Sequence, residues 1–384
     1  MQKTIIIVTR NKYPQGDAGA IRQHVTAKIL IKLGYKVLVI GNGEHTNFQV
    51  NEYDGVEYIS LRCDSNNKLK RLKDHLLFGK RVIHEIELRS EDVFGIIVVD
   101  VLPDAFFKIE KFARKHKLRL IHDSVEWYSP EEFKLGRFSP DYILKEYTNR
   151  VAIGKRWSVI AISRYLQNYF KNKGCNVVRV PVIMDVNSIN YLHKKESSKI
   201  TIVYAGGPGR KDYLSEILEG VNLLSDTERE KIVFHIIGVD KEQLIHTCGV
   251  SSETIKKLEN VVHAHGRIPH SDAIEWVKKA DFTILIRNES LRYAKAGFPT
   301  KVVESLSCGT PVICNLSSDL CEFLDSDNAV IVDGHTPEMI AGAISKLLKY
   351  DDNALSLMRI SARKTAVEFF DYRNYIDSFA GILK

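Results

Sequence analysis

The chain has 384 residues, which is too long for one ordinary hydrophobic core and long enough for two domains of typical size. Hydrophobic residues make up 44% of it and charged residues 27%, a composition that excludes disordered and fibrous proteins. The formal net charge of +7 favours anionic partners. The sequence carries no arginine-rich run, zinc-finger spacing or RNA-binding aromatic motif, so phosphates or anionic lipids are favoured over nucleic acid.

The N-terminus and the cysteines indicate the compartment. The apolar run 5–8 lacks the length and the cleavage site of a signal peptide, and no segment reaches the ~20 apolar residues of a membrane span. The six cysteines include no Cys-x-x-Cys pair and no nearby histidine at metal-ligand spacing, so we expect buried thiols rather than metal ligands. We therefore expect a cytoplasmic protein with reduced thiols and no metal.

Short β-branched runs alternate with stretches of helical periodicity along the whole chain, which indicates βαβ units and parallel sheets. Strands are predicted in the first half at 4–8, 36–40, 95–99, 119–121 and 158–162. The pattern lapses in the polar stretch 187–199, which we interpret as a linker. It restarts with strands predicted at 200–204, 232–237, 261–263, 282–286, 311–314 and 329–332. The fold class is therefore predicted to be α/β, with doubly wound Rossmann-like domains at 1–187 and 188–365.

Both predicted sheets carry a glycine-containing loop where ligands bind in this architecture, beyond the carboxyl ends of the strands. One loop spans 13–19 and the other spans 204–212, where two cations, Arg210 and Lys211, precede a helix. Backbone N–H groups at a helix N-terminus together with two cations suit a diphosphate. An ordinary strand-to-helix turn with solvated charges is the alternative. Two such sheets facing each other would form a cleft that holds the ligand.

The segment 297–313 is the most informative part of the sequence. The turn 297–299 opens a helix that carries Glu304 about two turns in, and Gly309 ends that helix before a buried strand. A carboxylate placed there can accept both hydroxyls of a ribose, while the helix N-terminus can face a phosphate. Taken alone, a single glutamate of this kind is more often a surface residue of an amphipathic helix.

With its flanking segments, this stretch resembles the donor half of the retaining GT-B glycosyltransferases of family 4. The segments that carry the resemblance are 16–19, 121–123, 161–166, 180–185, 262–269, 280–286 and 297–313. The resemblance implies a GT-B fold, with two Rossmann-like domains facing across a cleft and a C-terminal segment, 366–384, that packs back on the first domain. It also implies a nucleotide-diphosphate sugar as co-substrate, most often a UDP-sugar, with no cofactor and no metal.

The resemblance assigns a role to each matching residue. Glu304 would hold the donor ribose, and the loop 266–268 would flank the base. The residues expected to bind the donor are Gly19, Gly206, Gly207, Gly209, Gly266, Arg267, Ile268, Gly297, Phe298, Pro299, Thr300 and Glu304. The catalytic residues are expected to be His122, Lys211 and Arg210. Asp17, Asp123 and Glu126 are expected to contact the acceptor.

Two positions depart from the family pattern. The residue eight positions before Glu304 is Ala296, where the family carries a glutamate near the sugar hydroxyls, and Glu289 is the main alternative acid nearby. Pro299 replaces a residue that often supplies a backbone N–H. For His122, an ordinary polar residue satisfied at a strand end is the alternative to a site role.

The resemblance implies an enzyme, a hexosyltransferase-type glycosyltransferase that transfers sugar with retention to a glycan or lipid-linked acceptor. Bacterial surface polysaccharide, such as capsule or lipopolysaccharide, is the expected product. Two alternatives stay open, the first of them because Ala296 replaces the acid. One is a non-catalytic nucleotide-sugar-binding partner subunit, and the other is a nucleotide-sugar epimerase of similar architecture.

The stretch 68–81 is basic and amphipathic. Such a helix can lie on an anionic membrane surface, which would make the protein peripheral on the inner face of the plasma membrane. A domain helix with a solvated basic face explains the pattern equally well.

Overall fold

A computed structural model describes residues 2–14, 16, 18–43, 47–63, 68–89, 92–191, 198–207 and 211–384. The chain forms two compact units. Unit 1 comprises Met1–Tyr128, Arg137–Met184 and Tyr372–Lys384, and unit 2 comprises Ser129–Gly136 and Asp185–Asp371. These bounds differ from the predicted ones, most clearly because Ser129–Gly136 belongs to unit 2. Residues 192–197 of the predicted linker lie outside the described residues.

Unit 1 is built on an eight-stranded sheet. Its strands are β1 (Thr4–Lys12), β2 (Lys36–Gly43), β3 (Asn47–Tyr53), β4 (Val56–Cys63), β5 (Val93–Val99), β6 (Arg119–Ser124), β7 (Ser158–Ala161) and β8 (Asn176–Arg179). The strand order is β3-β4-β2-β1-β5-β6-β7-β8, and all neighbours are parallel except β3 and β4. The helices are α1 (Ala18–Lys32), α2 (Lys68–Glu87), α3 (Pro103–His116), α4 (Pro140–Tyr147) and α5 (Arg164–Asn172).

Unit 2 is built on a six-stranded parallel sheet. Its strands are β9 (Ile200–Ala205), β10 (Ile232–Ile237), β11 (Val262–Ala264), β12 (Phe282–Leu285), β13 (Val312–Cys314) and β14 (Ala329–Ile331). Its helices are α6 (Leu214–Leu223), α7 (Asp226–Arg229), α8 (Lys241–His246), α9 (Ser252–Lys257), α10 (His270–Lys279), α11 (Arg292–Ala296), α12 (Thr300–Ser307), α13 (Pro337–Leu347) and α14 (Asp352–Thr365).

The strand order of unit 2, β11-β10-β9-β12-β13-β14, reverses direction between β9 and β12. At such a switch point the loops that leave the two strands turn to opposite sides, and a crevice opens at the carboxyl ends of the strands. The prediction of two doubly wound α/β domains is confirmed, and the switch point positions the site described below.

The last helix, α15 (Ile376–Leu383), lies in unit 1. Phe379, Ile382 and Leu383 are buried in the same hydrophobic cluster as Val25 and Ile29 of α1. The segment that returns to unit 1 begins at Tyr372 rather than at the predicted residue 366, because 366–371 packs in unit 2, where Phe370 contacts Phe298 and Phe323.

The cysteine prediction is partly wrong. Cys175, Cys308 and Cys314 are buried free thiols, whereas Cys248 is half-buried and Cys321 is exposed. Burial raises the pKa of the Cys314 thiol to about 12, so this thiol stays protonated and behaves as a small hydrophobic group. Over the described ranges, no three His, Cys, Asp or Glu side chains are grouped so as to hold a metal ion.

Candidate functional site

Three glycine turns follow β9, β10 and β11 at the carboxyl edge of the unit 2 sheet. Gly206, Gly238 and Gly266 have φ values of +127°, +105° and +67°, a region that favours glycine. The N–H of Gly238 donates to the carbonyl of Gly266 at 2.7 Å. A Cβ on Gly238 would lie 2.7 Å from the carbonyl oxygen of Gly206. The turns at Gly206 and Gly238 therefore approach each other more closely than a side chain on Gly238 would allow.

Lys211 follows the first of these turns. Its Nζ lies 3.1 Å from Glu132 Oε1, and its carbonyl accepts a hydrogen bond of 2.8 Å from the hydroxyl of Tyr293. The N–H of Tyr293 in turn donates to Ser129 Oγ at 3.0 Å. The segment Ser129–Gly136 thus supplies both the carboxylate beside the Lys211 ammonium and an anchor for Tyr293. An anionic ligand at Lys211 has to compete with Glu132.

A buried ionic network lies beneath Lys211, at the switch point. Asp212 accepts hydrogen bonds from Tyr204 Oη at 2.8 Å and from Arg287 Nε at 2.9 Å, and it also pairs with Lys301 Nζ. Burial alone would raise the pKa of Asp212, but Lys301 and Arg287 lower it to about 2. The network keeps Asp212 ionised and fixes the backbone next to Lys211.

The sequence patterns alone did not predict this network. One signal for it was present: Lys301 is the second residue of α12, whose first turn contains no acidic residue. A cation at this end of a helix opposes the helix dipole, so it needs a partner carboxylate. A Cβ on Gly206 would lie 2.5 Å from Lys301 Cε, so the Lys301 side chain leaves room only for a glycine at position 206.

Glu304 lies in the second turn of α12, and its side chain is largely buried. Its Oε1 lies 2.9 Å from Nε2 of His270, and this hydrogen bond raises the pKa of the His270 imidazole. His270 begins α10, two residues after the predicted base-binding loop, in which Gly266 and Ile268 are half-buried and Arg267 is exposed. The structure therefore brings the predicted ribose-binding acid and the predicted base-binding loop to one side of unit 2.

The turn before α12 is mostly buried. Phe298 packs against Phe323 and Phe370 with ring centroids 5.8 Å apart in both pairs, so the prediction of a donor contact is wrong for this side chain. Pro299 is buried at the N-cap position of α12, and Gly297 and Thr300 beside it are partly exposed. Gly207 is exposed, and Gly209 and Arg210 lie outside the described residues.

Ala296 ends α11 and is fully buried. A glutamate at this position would need space where a fully buried methyl group now packs. The position that carries an acid in the family is therefore a packing position in this chain.

His122 of β6 lies in the core of unit 1, which contradicts the prediction of a histidine facing a ligand. Its side chain is fully buried and packs edge-on against Phe106 and Phe170. Nδ1 lies 3.1 Å from the carbonyl of Val98, and within the described residues Nε2 has no hydrogen-bonding partner. Burial, and to a lesser extent Lys145, lowers the pKa of this imidazole to about 3. The neutral form of the ring is therefore favoured, and the ring is enclosed by side chains of unit 1.

Asp123 is also buried, which contradicts an acceptor contact. Both of its carboxylate oxygens accept hydrogen bonds of 2.8 Å from Arg22 of α1. Arg22 also donates to the carbonyl of Pro181 at 2.6 Å. This bidentate pair ties α1 to β6, and removing one partner of such a buried pair costs about 3–5 kcal/mol.

The remaining unit 1 predictions are placed as follows. Gly19 lies in the first turn of α1 and is partly exposed, and Asp17 lies outside the described residues. Glu126 is half-buried. Trp127 belongs to the core: it is 2% exposed, and its Nε1 donates to Glu146 at 2.7 Å.

Comparison with known proteins shows a family similarity in the second unit. Residues 189–365 match the sequence profile described as "Glycosyl transferases group 1". This segment is similar to the glycosyl transferases group 1. It contains Lys211, Glu304 and the whole sheet of unit 2, so the family match and the candidate site coincide.

Solved structures of the same fold cover nearly the whole chain. Sucrose-phosphate synthase from Thermosynechococcus elongatus is 13% identical with a TM-score of 0.75, covering 99% of this chain and 98% of that one. Anabaena HepE, solved with UDP-glucose, is 15% identical, with a TM-score of 0.67 and 99% coverage of each chain. WaaG, a glycosyltransferase involved in lipopolysaccharide biosynthesis, is 14% identical, with a TM-score of 0.67 and 99% coverage of each. These similarities confirm the predicted GT-B fold.

One further relative is similar in amino-acid sequence. A Klebsiella pneumoniae protein described as "Uncharacterized 42.6 kDa protein in cps region" is 25% identical over 223 residues. The match covers 48% of this chain and 58% of that protein, so the chain spans little more than half of its length.

Proposed function

We propose that the protein is a retaining glycosyltransferase that moves a sugar from a nucleotide-diphosphate sugar, specifically a UDP-sugar, to a glycan or lipid-linked acceptor. The observation that carries this proposal is the group 1 match over 189–365, the segment that holds the switch point and Lys211. HepE, solved with UDP-glucose in the same fold, supports the choice of donor class.

In the proposed complex, the base lies against the loop 266–268 and the ribose hydroxyls bind Glu304. The diphosphate lies at the first glycine turn, near Lys211 and the N-terminus of α12. Arg210, which lies outside the described residues, is assigned to the diphosphate by the family resemblance alone. Cations and backbone N–H groups fixed before the reaction stabilise the negative charge that develops on the leaving nucleoside diphosphate. The buried network around Asp212 supports this role, because it holds the backbone of the Lys211 segment in place.

We assign the leaving-group stabilisation to these groups and not to a metal ion, so the reaction is proposed to be metal-independent. The proposal gives no catalytic role to His122, since its ring is buried. The departing phosphate oxygen is proposed to take the proton of the acceptor hydroxyl, which is the mechanism implied by the resemblance to retaining enzymes.

The acceptor is proposed to belong to a bacterial surface polysaccharide. A relative described from a capsule region and a structural neighbour described in lipopolysaccharide biosynthesis both support this choice. None of the helices in the described part of the chain is long and apolar enough to cross a membrane. We propose that a lipid-linked acceptor is reached from the cytoplasmic membrane surface.

The first prediction is that Lys211→Ala and Glu304→Ala each lower sugar transfer severely, by about 100-fold or more if the charge contacts act in the transition state. Release of nucleoside diphosphate and of glycosylated product from a panel of nucleotide sugars measures the effect. Lys256→Ala and Glu253→Ala, on the exposed face of α9, are matched controls expected to keep full activity. Unchanged rates in both site variants would refute the site assignment.

Because the buried Ala296 supplies no carboxylate, a second candidate function is that of a non-catalytic nucleotide-sugar binder. The same assay separates the two, because a binder shows calorimetric binding of the nucleotide sugar without turnover. An epimerase would instead convert the nucleotide sugar without any acceptor, which NMR of the incubated donor detects.

A further inference from the structure

A second polar cluster, formed by Glu289, Asn315 and His335, lies near the carboxyl ends of β12 and β13. Glu289 follows β12, and its Oε2 accepts a hydrogen bond of 2.7 Å from Asn315 Nδ2, one residue after β13. His335 Nδ1 lies 3.2 Å from the same oxygen. Asn315 is buried, whereas the Glu289 side chain is 40% exposed. Asn315 and His335 thus hold one oxygen of the Glu289 carboxylate, while part of the side chain is exposed to solvent.

This cluster is attached to the Lys211 segment at two points. Asn315 binds the backbone of Arg287 from both sides, accepting from its N–H at 3.1 Å and donating to its carbonyl at 2.5 Å. Arg287 in turn contacts Asp212. On the other side, the ring of His335 packs edge-on against Tyr213 with centroids 5.3 Å apart. Glu289 therefore has a fixed position next to the segment that carries Lys211.

The chemistry of the cluster suits a polyhydroxylated ligand. A carboxylate accepts hydrogen bonds from two neighbouring hydroxyls, and a charged acceptor makes stronger hydrogen bonds than a neutral one. In the described residues, both contacts to Glu289 are made at Oε2 and the side chain is 40% exposed, so Oε1 is the oxygen available to a ligand. Orientation of a binding group by its neighbours lowers the entropy cost of binding.

We propose that Glu289 is a specificity-determining residue that accepts hydrogen bonds from hydroxyls of the transferred sugar. This inference rests on the proposed function, because it places the sugar beside the diphosphate held by Lys211. Ala296 offers only a buried methyl group, so α11 supplies no carboxylate at the corresponding position. Asn315 and His335 act as positioning residues for Glu289.

The test compares binding of a nucleotide sugar with binding of its nucleoside diphosphate alone. Isothermal titration with UDP-glucose, UDP-galactose, UDP-N-acetylglucosamine and GDP-mannose, and with UDP and GDP, is measured for the wild type and for Glu289→Gln and Glu289→Ala. We expect both variants to bind the diphosphate as the wild type does and to bind the preferred nucleotide sugar about tenfold more weakly or worse, the usual loss for one charged hydrogen bond. Glu253→Gln is the matched control.

Each outcome decides a different question. If the variants lose affinity for diphosphate and nucleotide sugar equally, Glu289 is a structural residue and the inference is wrong. The inference is also wrong if both affinities are unchanged. If the wild type binds no nucleotide sugar of the panel, the proposed function itself fails, and the inference fails with it. Glu289→Asp, which keeps the charge, should retain more of the sugar discrimination than Glu289→Gln.

Discussion

The imidazole of His122 shows how burial determines the chemistry of a single residue. Its neutral form is favoured because a charged ring would lose its hydration inside an aromatic core. An unfolded histidine titrates near pH 6.5, whereas His122 titrates near 3. Between these values the unfolded state binds the extra proton. The contribution of His122 to stability is therefore complete above about pH 6.5 and is lost as the pH falls toward 3.

We predict that His122→Asn flattens the pH dependence of the free energy of unfolding between pH 7 and 5. A group of this kind contributes at most about 1.4 kcal/mol per pH unit, and the asparagine removes that slope. Urea denaturation at several pH values measures it. His246→Asn replaces an exposed histidine and should leave the slope as in the wild type. Equal slopes for His122→Asn and the wild type would contradict the burial argument.

At the level of residues, local patterns predicted the structural positions of candidate site residues better than the positions of the residues that support them. The glycine turn after β9, Lys211 and the position of Glu304 on a helix all follow from neighbouring residues in the sequence. The partners of Asp212 do not, because Arg287 and Lys301 lie 75 and 89 residues away along the chain. The burial of His122 depends on Phe106 and Phe170, which only the folded sheet brings to it.

At the level of elements, helices α2 and α3 form a groove that is lined by many more basic than acidic side chains. The basic groove has a volume of about 650 Å³, and its charged lining residues are Lys80, Glu87, Lys108, Lys111, Arg114 and Lys115. Ile83 and Phe112 add apolar surface to it. Cations around an apolar surface fit the headgroups and upper chains of anionic lipids. This groove extends the predicted membrane-binding surface beyond 68–81. Within that stretch, the side chains of 68–72 and 75–76 lie outside the described residues.

We predict that the protein binds vesicles containing phosphatidylglycerol and not vesicles of phosphatidylcholine alone. Each cation near an anionic surface contributes about 1 kcal/mol, so the double variant Lys111→Gln, Arg114→Gln should bind about thirty-fold more weakly. Vesicle flotation at constant salt measures the partition. The control Lys346→Gln, Lys349→Gln removes two exposed cations at the same spacing in unit 2. Equal losses in both double variants would indicate a general charge effect instead of a groove.

Element prediction succeeded where strands are long and buried, and it failed at the edges of the first sheet. The central strand β1 reads as a continuous apolar run because both faces of a parallel sheet are covered. The antiparallel pair β3 and β4 was missed, although Asp54 and Gly55 between them have positive φ and form the Asp-Gly hairpin signal. The edge strand β8 has four residues and little burial, so its pattern is weak.

At the scale of the whole molecule, each unit depends on residues that are distant in the chain. The C-terminal helix α15 completes the core of unit 1, where Phe379 is 1% exposed. The order of residues along the chain is therefore a poor guide to which residues stabilise each other.

We predict that Phe379→Ala destabilises unit 1 selectively. Truncation of a buried phenylalanine costs about 3–5 kcal/mol, and the cavity lies among side chains of α1 and the unit 1 sheet. Hydrogen exchange followed by mass spectrometry should show faster exchange in unit 1 peptides while unit 2 peptides keep their rates. Asp377→Asn, an exposed change in the same helix, should cost less than about 1 kcal/mol. Uniformly faster exchange in both units would show that they unfold together.

The segment Ser129–Gly136 has a consequence for recombination between related enzymes. A chimaera that takes its second half from residue 185 onward leaves behind Glu132, the carboxylate beside Lys211, and Ser129, the acceptor for the Tyr293 N–H. The profile match over 189–365 would direct an engineer to that incomplete exchange. A transplant that preserves the surroundings of Lys211 has to carry an eight-residue insert from the first half of the donor parent, with junctions at 128/129 and 136/137.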